Sequence, residues 1–383
     1  MKSIDTYNLH QPHLIGKEKN YLIKALKNNQ LTQGEFIDKF KKKLSIFLKI
    51  KNVALIQNCT TALFMSLKLS NINENDEVIV PTITYAATIN AIRQTGANPI
   101  FFDVDSFFNI DIEKILEFLK LNTIKKKNFL YNKFSKKKIS AIILVHVFGN
   151  LTPYNQELIT ICKKFNIKII EDAAEALGSY WIKDKKKKHP GYYGNLACFS
   201  FNGNKIVTSA GGGAIVSKDS KSIKKIDFLI NQAKKNDIEY IHTEMGFNFR
   251  LSNIHSAIGY AQMNNLKFFL KKKKIINGYY NEFLKDSKYS ILSSPKYCSS
   301  NYWLNILNTS NNNLRKKLIK RLISKKVLAR PVWKPNHLQA PFKKFQKFKI
   351  ENAEKMYKSH ICLPSGSNLS RQNIQYICNI INS

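Results

Sequence analysis

Residues 169–179 read IIEDAAEALGS, and residues 198–213 read CFSFNGNKIVTSAGGG. The apolar residues that precede Asp172 predict a strand ending at this acid, and a second strand is predicted to end close to Ser200. Lys205 follows Ser200 in a loop that leads into another apolar run. Because parallel strands end at the same edge of a sheet, we expect the acid, the hydroxyl and the lysine to surround one crevice.

Short apolar runs alternate with helical stretches around this block. Strands are predicted at 53–56, 77–80, 99–103, 141–146, 168–171, 196–201 and 214–217, and helices at 60–69, 85–95, 112–119 and 154–165. Such alternation is typical of βαβ units and of a mostly parallel sheet. The segment 121–138 is rich in Lys and Asn and is predicted to be a surface excursion.

The pattern changes after Phe249. Two long helices are predicted at 250–266 and 271–284, and the tail from residue 287 mixes short strands and helices. We therefore expect an α/β protein with two domains. Residues 1–265 would form a large domain with a mostly parallel sheet and an N-terminal helical arm, and residues 266–383 a smaller α+β domain.

The acid, hydroxyl and lysine suit a site for pyridoxal phosphate (PLP). A lysine amine forms a Schiff base with the cofactor, and a carboxylate pairs with the pyridinium nitrogen, so that the ring acts as an electron sink. Hydroxyls and helix N-terminal amides hold the phosphate. Each residue alone has an ordinary explanation, since an acid after a strand is usually a helix cap and a lysine is usually solvated.

The ordered set of motifs resembles the DegT-type sugar aminotransferases, PLP enzymes of fold type I, over nearly the whole chain. The matching stretches are NCTTAL at 58–63, the strand–helix–strand block at 75–105, EDAAEALGS at 171–179, SFNGNKIVTSAGGG at 200–213 and GFNFRLSNIHSAIGYAQM at 246–263.

This resemblance implies a role for each matching residue. Lys205 would form the Schiff base and shuttle the proton, and Asp172 would bond the pyridinium nitrogen. Tyr85 would stack on the ring, although a plain core aromatic is the alternative. The other implied cofactor contacts are Thr60, Thr61 and Ser200 at the phosphate, Glu175 near the 3-oxygen, and Asn248 at the phosphate of the neighbouring subunit's cofactor.

Three positions depart from the family pattern. Cys59 stands where Gly is commoner, so the backbone approaches a phosphate less freely. Glu175 replaces the usual Gln, and either adds negative charge at the site or is itself protonated. The lysine loop reads SFNGNK in place of SFHPxK. This loop, together with EALGS at 175–179, HTEMGFNFR at 242–250, NYWLN at 301–305 and RPVW at 330–333, resembles one subgroup of the family. Enzymes of that subgroup aminate the C4 keto group of UDP-linked 4-keto-6-deoxy-N-acetylhexosamines.

The implied function is a PLP-dependent transaminase that takes its amino group from glutamate, releases 2-oxoglutarate, and makes bacillosamine- or legionaminic-acid-type precursors for surface glycans. A GDP- or dTDP-linked keto sugar, aminated as in perosamine formation or at C3, is the alternative acceptor. The resemblance also implies a homodimer with shared active sites. Relatives with His at the Schiff-base position act as dehydratases, and Lys205 argues against that branch.

The substrate-binding candidates rest on less specific signals. Arg250 and Arg330 suit the donor's carboxylate or a diphosphate, because a guanidinium binds both in a fork. A structural ion pair is an equal alternative for either arginine. His337 is a third candidate. Trp303 and Trp333 suit the sugar pocket or simple packing.

The charged residues raise the question of whether the protein binds nucleic acid. Lys plus Arg number 62 against 26 for Asp plus Glu, a net charge of +36. The basic runs at 125–127, 136–138, 185–188 and 271–274 are spread along the chain. Codon bias explains them better than nucleic-acid binding, which is the alternative from another class.

The chain's apolar runs and cysteines indicate its compartment. No apolar run approaches the roughly 18 residues of a membrane helix, and the start has no secretory apolar region. The six cysteines form no C-x-x-C pair. We therefore expect a cytoplasmic enzyme with reduced thiols, without a metal site, a membrane partner or a nucleic-acid partner.

Overall fold

The computed structural model describes residues 6–183, 186–236 and 238–383. Lys185, in the basic run at 185–188, and the first five residues of the predicted large domain lie outside these ranges. The α-helices are α1 (Glu18–Lys27), α2 (Glu35–Leu48), α3 (Cys59–Leu69), α4 (Ala86–Gln94), α5 (Ile112–Leu121), α6 (Gln156–Lys164), α7 (Ser220–Ile230), α8 (Asn253–Asn264), α9 (Leu266–Phe283), α10 (Asn312–Ser324), α11 (Asn352–Ser359) and α12 (Arg371–Asn382). None of the helices in these ranges is both long and apolar enough to cross a membrane.

The β-strands are β1 (Asn52–Ile56), β2 (Asp76–Pro81), β3 (Asn98–Phe102), β4 (Thr123–Lys126), β5 (Phe129–Asn132), β6 (Lys138–Val145), β7 (Lys168–Asp172), β8 (Tyr180–Lys183), β9 (Lys186–Lys188), β10 (Leu196–Ser200), β11 (Gly213–Ser217), β12 (Ser290–Ile291), β13 (Cys298–Ser299), β14 (Asn305–Asn308), β15 (Arg330–Pro331), β16 (Lys347–Phe348) and β17 (His360–Leu363). Short 3₁₀ turns span Val147–Gly149, Asn336–Leu338 and Ala340–Phe342.

The central sheet has the strand order β1-β11-β10-β7-β6-β2-β3-β16. From β10 to β16 every neighbouring pair is parallel, whereas β11 is antiparallel to both β1 and β10. The parallel strands β10, β7, β6, β2 and β3 are rich in apolar residues and almost entirely buried, which is typical of parallel strands covered on both faces. The predicted mostly parallel sheet and the α/β class are confirmed.

Strand β6 illustrates how the helices cover both faces of the sheet. Ile142 and Leu144 belong to a hydrophobic cluster that also contains residues of α5 and α6. Ile143 and Val145 belong to the largest cluster, with residues of α2, α3 and α7. Successive side chains in a strand point to opposite faces, so one apolar run serves two layers of helices.

The C-terminal part contains a second sheet in the order β12-β14-β17-β15. Residues of α9, α10 and α12 pack on it around a separate hydrophobic cluster. Two short segments of this part pair with strands of the N-terminal part: β16 extends the central sheet beside β3, and β13 pairs with β8. The domain boundary at 265/266 stays a prediction.

Two segments differ from their predicted form. The surface excursion at 121–138 forms a hairpin, β4–β5, which joins β6 through Tyr131 opposite Lys138. Its lysines fill exposed positions, so the run has no apolar alternation to reveal the strands. The helix predicted from residue 250 begins at Asn253, because the Ser252 side chain caps it by accepting the backbone N–H of His255.

Candidate active site

A cavity of about 870 Å³ opens at the carboxyl ends of β7 and β10. Asp172 is the last residue of β7, Ser200 is the last residue of β10, and Lys205 follows in the loop to β11. All three residues line the cavity. The predicted crevice at the carboxyl edge of the sheet therefore holds the acid, the hydroxyl and the lysine together.

Asp172 is buried and held by two hydrogen bonds. The Thr88 hydroxyl on α4 donates to Oδ2 at 2.7 Å, and the backbone N–H of Ala174 donates to Oδ1 at 3.1 Å. Burial raises the pKa of Asp172, and these two donors and the charge of Lys205 oppose that rise because they favour the ionised form.

Lys205 extends between an aromatic ring and a carboxylate. Its Nζ lies 4.0 Å from the centre of the Trp303 ring and 3.7 Å from Oε1 of Glu175. The Trp303 indole N–H in turn donates to the backbone oxygen of Asn204 at 2.7 Å, which ties the ring to the lysine loop. The ring face and the carboxylate both attract a cation.

Glu175 is buried beside this lysine. Its Oε2 accepts the backbone N–H of Phe148 at 2.7 Å. Phe148 has a φ of +57°, a conformation that costs free energy for a residue with a side chain and is common at functional sites. Burial, opposed by the charge of Lys205 and the Phe148 hydrogen bond, raises the pKa of Glu175 to about 7.

The N-terminus of α3 forms another wall of the cavity. Asn58 caps the helix by accepting the N–H and the hydroxyl of Thr61 at 2.8 and 2.9 Å. Thr60 lines the cavity from the first turn. Gly213 packs against this turn so closely that a Cβ there would lie 2.8–2.9 Å from backbone atoms of Asn58 and Cys59. The helix N-terminus presents backbone N–H groups and a positive dipole end that suit an anion.

These groups fit pyridoxal phosphate. The cofactor needs an amine for its aldehyde, a carboxylate for its ring nitrogen and N–H donors for its phosphate. The cavity supplies Lys205, Asp172 and the first turn of α3. Cys59 takes part in that turn as a buried neutral thiol, because burial and Asp172 raise its pKa.

Residues 12–382 match the sequence model of the DegT/DnrJ/EryC1/StrS aminotransferase family. The chain belongs to this family. It is a PLP-dependent transaminase of the α/β class.

Proteins with known names match nearly the whole chain. GDP-perosamine synthase of Escherichia coli O157:H7 is 33% identical over 384 residues, which are 100% of this chain and 98% of that protein. The UDP-4-amino-4,6-dideoxy-N-acetyl-beta-L-altrosamine transaminase of Campylobacter jejuni 81-176 is 29% identical and covers 93% of this chain and 91% of its own. The structure of Helicobacter pylori PseC, an aminotransferase involved in the biosynthesis of pseudoaminic acid, has a TM-score of 0.86 at 26% identity and covers 98% of each chain.

For this family member, the structure brings seven of the predicted site residues to one cavity. Tyr85 lies there as the N-cap residue of α4 and is 65% exposed, so it is not a core aromatic in this chain. Arg330 lies at the exposed rim. The seven are Thr60, Tyr85, Asp172, Glu175, Ser200, Lys205 and Arg330.

Four other predicted residues do not line the cavity. Thr61 is hydrogen-bonded to its cap residue. Asn248 and Arg250 lie in an extended segment after Met245, and Arg250 forms a β-bridge with Ile56 of β1. His337 is buried away from the cavity and is bonded on both ring nitrogens.

The contacts of His337 explain its burial. Its Nδ1 lies 2.7 Å from the Thr82 hydroxyl, and its Nε2 lies 3.1 Å from Oε1 of Glu354. Burial lowers its pKa, opposed by Glu354. His337 therefore connects the C-terminal part of the chain to the loop after β2.

His10 was not among the predicted site residues, yet it lines the cavity from the N-terminal segment. Among the described residues, nothing bonds its buried Nδ1. Burial lowers the pKa of His10, as do the nearby charges of Lys273 and Lys205. The backbone N–H of Ser365 donates to Leu9 at 2.7 Å and holds the segment there. No local signal reveals such a long-range placement.

Proposed function

We propose that this transaminase moves the amino group of glutamate to the C4 keto group of a nucleotide-linked 4-keto-6-deoxy sugar. The observation that carries the proposal is the cavity that joins Lys205 and Asp172 to the exposed basic side chains Arg330 and Lys334. One end of this cavity suits amine chemistry, and its rim suits an anionic substrate.

Each residue of the inner cavity has a defined task in the proposal. Bound PLP would supply an electron sink for the carbon that exchanges its proton. Asp172 would hold a proton on the ring nitrogen, and the first turn of α3 with Ser200 would bind the phosphate. Tyr85 would cover the ring. Lys205 would take a proton at Nζ from one carbon and return it to another, a general acid–base role.

The outer cavity supports a sugar nucleotide as acceptor. Trp303 and Trp333 lie with ring centres 5.9 Å apart and present apolar surface for a sugar ring. Arg330 and Lys334 line the same cavity and are both exposed. A guanidinium and an ammonium at the rim suit a diphosphate.

UDP and GDP are the two candidates for the nucleotide that is attached to the keto sugar. The motifs at 301–305 and 330–333 favour a UDP-linked 4-keto-6-deoxy-N-acetylhexosamine, whose product would be a precursor of bacillosamine- or legionaminic-acid-type surface sugars. The 33% identity to GDP-perosamine synthase favours a GDP-linked keto sugar as the second candidate. A UDP-sugar transaminase is 29% identical, so identity alone does not separate them.

We also propose a homodimer in which Asn248 reaches the cofactor phosphate of the partner chain. Support comes from the position of Asn248 and Arg250, which lie outside their own cavity. Ile238 and Met245 in the preceding segment are 88% and 82% exposed, and a second copy would cover such apolar side chains. Mixing a Lys205→Ala chain with an Asn248→Ala chain tests this sharing, because only mixed dimers would contain one intact site. Activity that does not return on mixing would argue against the shared site.

The acceptor can be identified by following the two half-reactions separately. Glutamate should convert the visible absorption of the purified enzyme to that of the amino form of the cofactor. UDP-, GDP- and dTDP-linked 4-keto-6-deoxy sugars are then added singly, and return of the original spectrum identifies the acceptor. Lys205→Ala should lose both half-reactions while keeping its fold. Reaction with glutamate but with no keto sugar would overturn the proposed acceptor class alone.

A further inference from the structure

The carboxyl group of Glu175 and the amine of Lys205 form a buried pair. Oε1 and Nζ are 3.7 Å apart, with side-chain exposures of only 9% and 13%. The other carboxyl oxygen is occupied by the Phe148 N–H, which fixes the orientation of the group so that Oε1 faces the amine. At 3.7 Å the two groups form an ion pair, and a shift of about 0.5 Å or one bridging water would bring them within reach of proton exchange.

The charges around this pair do not balance when every group is ionised. Asp172 and Glu175 are both buried, and Lys205 is the cation that acts on both. Asp172 has two hydrogen-bond donors and Glu175 has one from the backbone, so the second carboxylate is the less well stabilised. A proton shared between Glu175 and Lys205 relieves this excess of negative charge.

Two thiols also interact with Glu175. Cys59 faces it from α3 and Cys362 faces it from β17. Burial raises the pKa of both thiols, so they are neutral near pH 7. The pKa of Glu175 itself is about 7, where a carboxyl group can both accept and release a proton.

We propose that Glu175 is a catalytic residue that exchanges a proton with Lys205. As a carboxylate it holds the proton on Nζ, and when the amine must be free it accepts that proton at Oε1. The step breaks one N–H bond and forms one O–H bond, and converts a buried ion pair to a neutral amine and a neutral acid. This inference rests on the proposed role of Lys205.

The first test measures the free amine of Lys205 in the cofactor-free full-length chain. Each variant is treated with an amine-acylating reagent between pH 6 and 10, and modification of Lys205 is followed by mass spectrometry. In Glu175→Gln the amine loses its buried counter-charge, so we expect acylation at pH 8 to rise about tenfold over the wild type. Asp105→Asn is the matched control, because Asp105 is a half-buried acid, with a pKa raised by burial to about 6, that does not line the cavity.

The second test uses the holoenzyme. In the wild type, the rate of the glutamate half-reaction should fall below about pH 7, as Glu175 becomes protonated and can no longer accept a proton. Glu175→Gln should be slower at least tenfold and lose this inflection, and Glu175→Asp should restore it in part. A merely structural role would not move the inflection.

The outcomes separate this inference from the proposed function. If acylation of Lys205 and the pH profile are both unchanged in folded Glu175→Gln, Glu175 does not exchange a proton with Lys205. If the wild-type enzyme does not react with glutamate at all, the proposed function fails. The acylation of Lys205 would still show whether Glu175 affects its amine. Circular dichroism of each variant checks the fold.

Discussion

Thr88 Oγ1 lies 2.7 Å from Oδ2 of Asp172 and joins helix α4 to the end of strand β7. Thr84 continues the link, since its hydroxyl lies 2.8 Å from that of Thr88. The acid that would serve the cofactor nitrogen is therefore positioned by hydroxyls from a different βαβ unit. Such support restricts both the orientation and the protonation of a buried carboxylate.

Replacing Thr88 with Val should weaken cofactor binding without changing the size of the side chain. The carboxylate loses a buried donor, which costs about 1.5–3 kcal/mol for a charged acceptor. We expect PLP affinity to fall at least tenfold and the pKa of Asp172 to rise further. Titration of the cofactor-free chain with PLP measures the affinity. Thr88→Ser keeps the hydroxyl and should bind nearly as the wild type does; equal weakening in both variants would assign the effect to packing.

Gly213 should tolerate no side chain, because its neighbours are backbone atoms. A Cβ would lie 2.8 Å from the carbonyl carbon of Asn58 and 2.9 Å from the amide nitrogen of Cys59, and real Cβ atoms do not approach backbone so closely. Gly213→Ala should therefore displace the first turn of α3, destabilise the fold by about 1–3 kcal/mol and weaken phosphate binding. Thermal unfolding and PLP titration measure the two effects.

Gly278 provides the matched control for that substitution. It lies inside α9, and a Cβ there would meet nothing within 4 Å. Alanine is favoured over glycine within a helix by about 1 kcal/mol, so Gly278→Ala should be neutral or stabilising. If both variants lose stability equally, the close approach at Gly213 is not the cause.

His10 should contribute to substrate binding rather than to the chemical step. Its buried Nδ1 has no bond among the described residues, and a buried nitrogen without a partner costs about 1–3 kcal/mol until a ligand or water supplies one. His10→Phe keeps a ring but removes this bond. We expect the KM of the keto sugar to rise about tenfold with little change in kcat.

A second histidine in the same segment allows a control. His13 lies 3.1 Å from the Ser367 hydroxyl and does not line the cavity, so His13→Phe should leave the KM unchanged. Burial and the charges of Lys273 and Lys205 lower the pKa of His10, which keeps it neutral above pH 6.5. The KM effect should therefore be the same at pH 7 and pH 8. If His10→Phe and His13→Phe raised the KM equally, the change would come from the N-terminal segment as a whole and not from the Nδ1 of His10.

The central strands and the placement of Asp172 and Lys205 at one cavity could be predicted because their signals are local. A buried parallel strand is an apolar run, and its carboxyl end is a defined edge of the sheet. Strand β7, predicted at 168–171, spans Lys168–Asp172. The strand predicted at 196–201 is β10, which ends at Ser200.

The parts that were not predicted depend on contacts between distant residues. His10 reaches the cavity through a backbone bond between Leu9 and Ser365, and β16 joins the sheet beside β3, far away in the sequence. A two-residue strand such as Lys347–Phe348 carries no periodicity. His337 looked like a site residue because of its chemistry alone, and only the fold reveals its bonds to Thr82 and Glu354.

Asp103 should make the stability of the chain dependent on acid pH, because it ties α11 to the large sheet. The acid is fully buried after β3 and accepts hydrogen bonds from Lys114 at 2.7 Å and from the backbone N–H groups of residues 351–353 at 2.8–3.0 Å. Burial alone would raise its pKa, but these donors outweigh burial and lower it. The ionised form is therefore the one that stabilises the fold.

The sign of the pH dependence follows from that lowered pKa. The contribution of Asp103 is fully present above the unfolded pKa of about 4 and is lost as the pH falls through the lower folded value. We expect Asp103→Asn to cost about 2–4 kcal/mol at pH 7, with a smaller difference from wild type below pH 4. Urea unfolding at several pH values measures this, and Asp38→Asn, exposed on α2, serves as the control. A constant difference across the whole pH range would mean that the charge of Asp103 does not hold α11 in place.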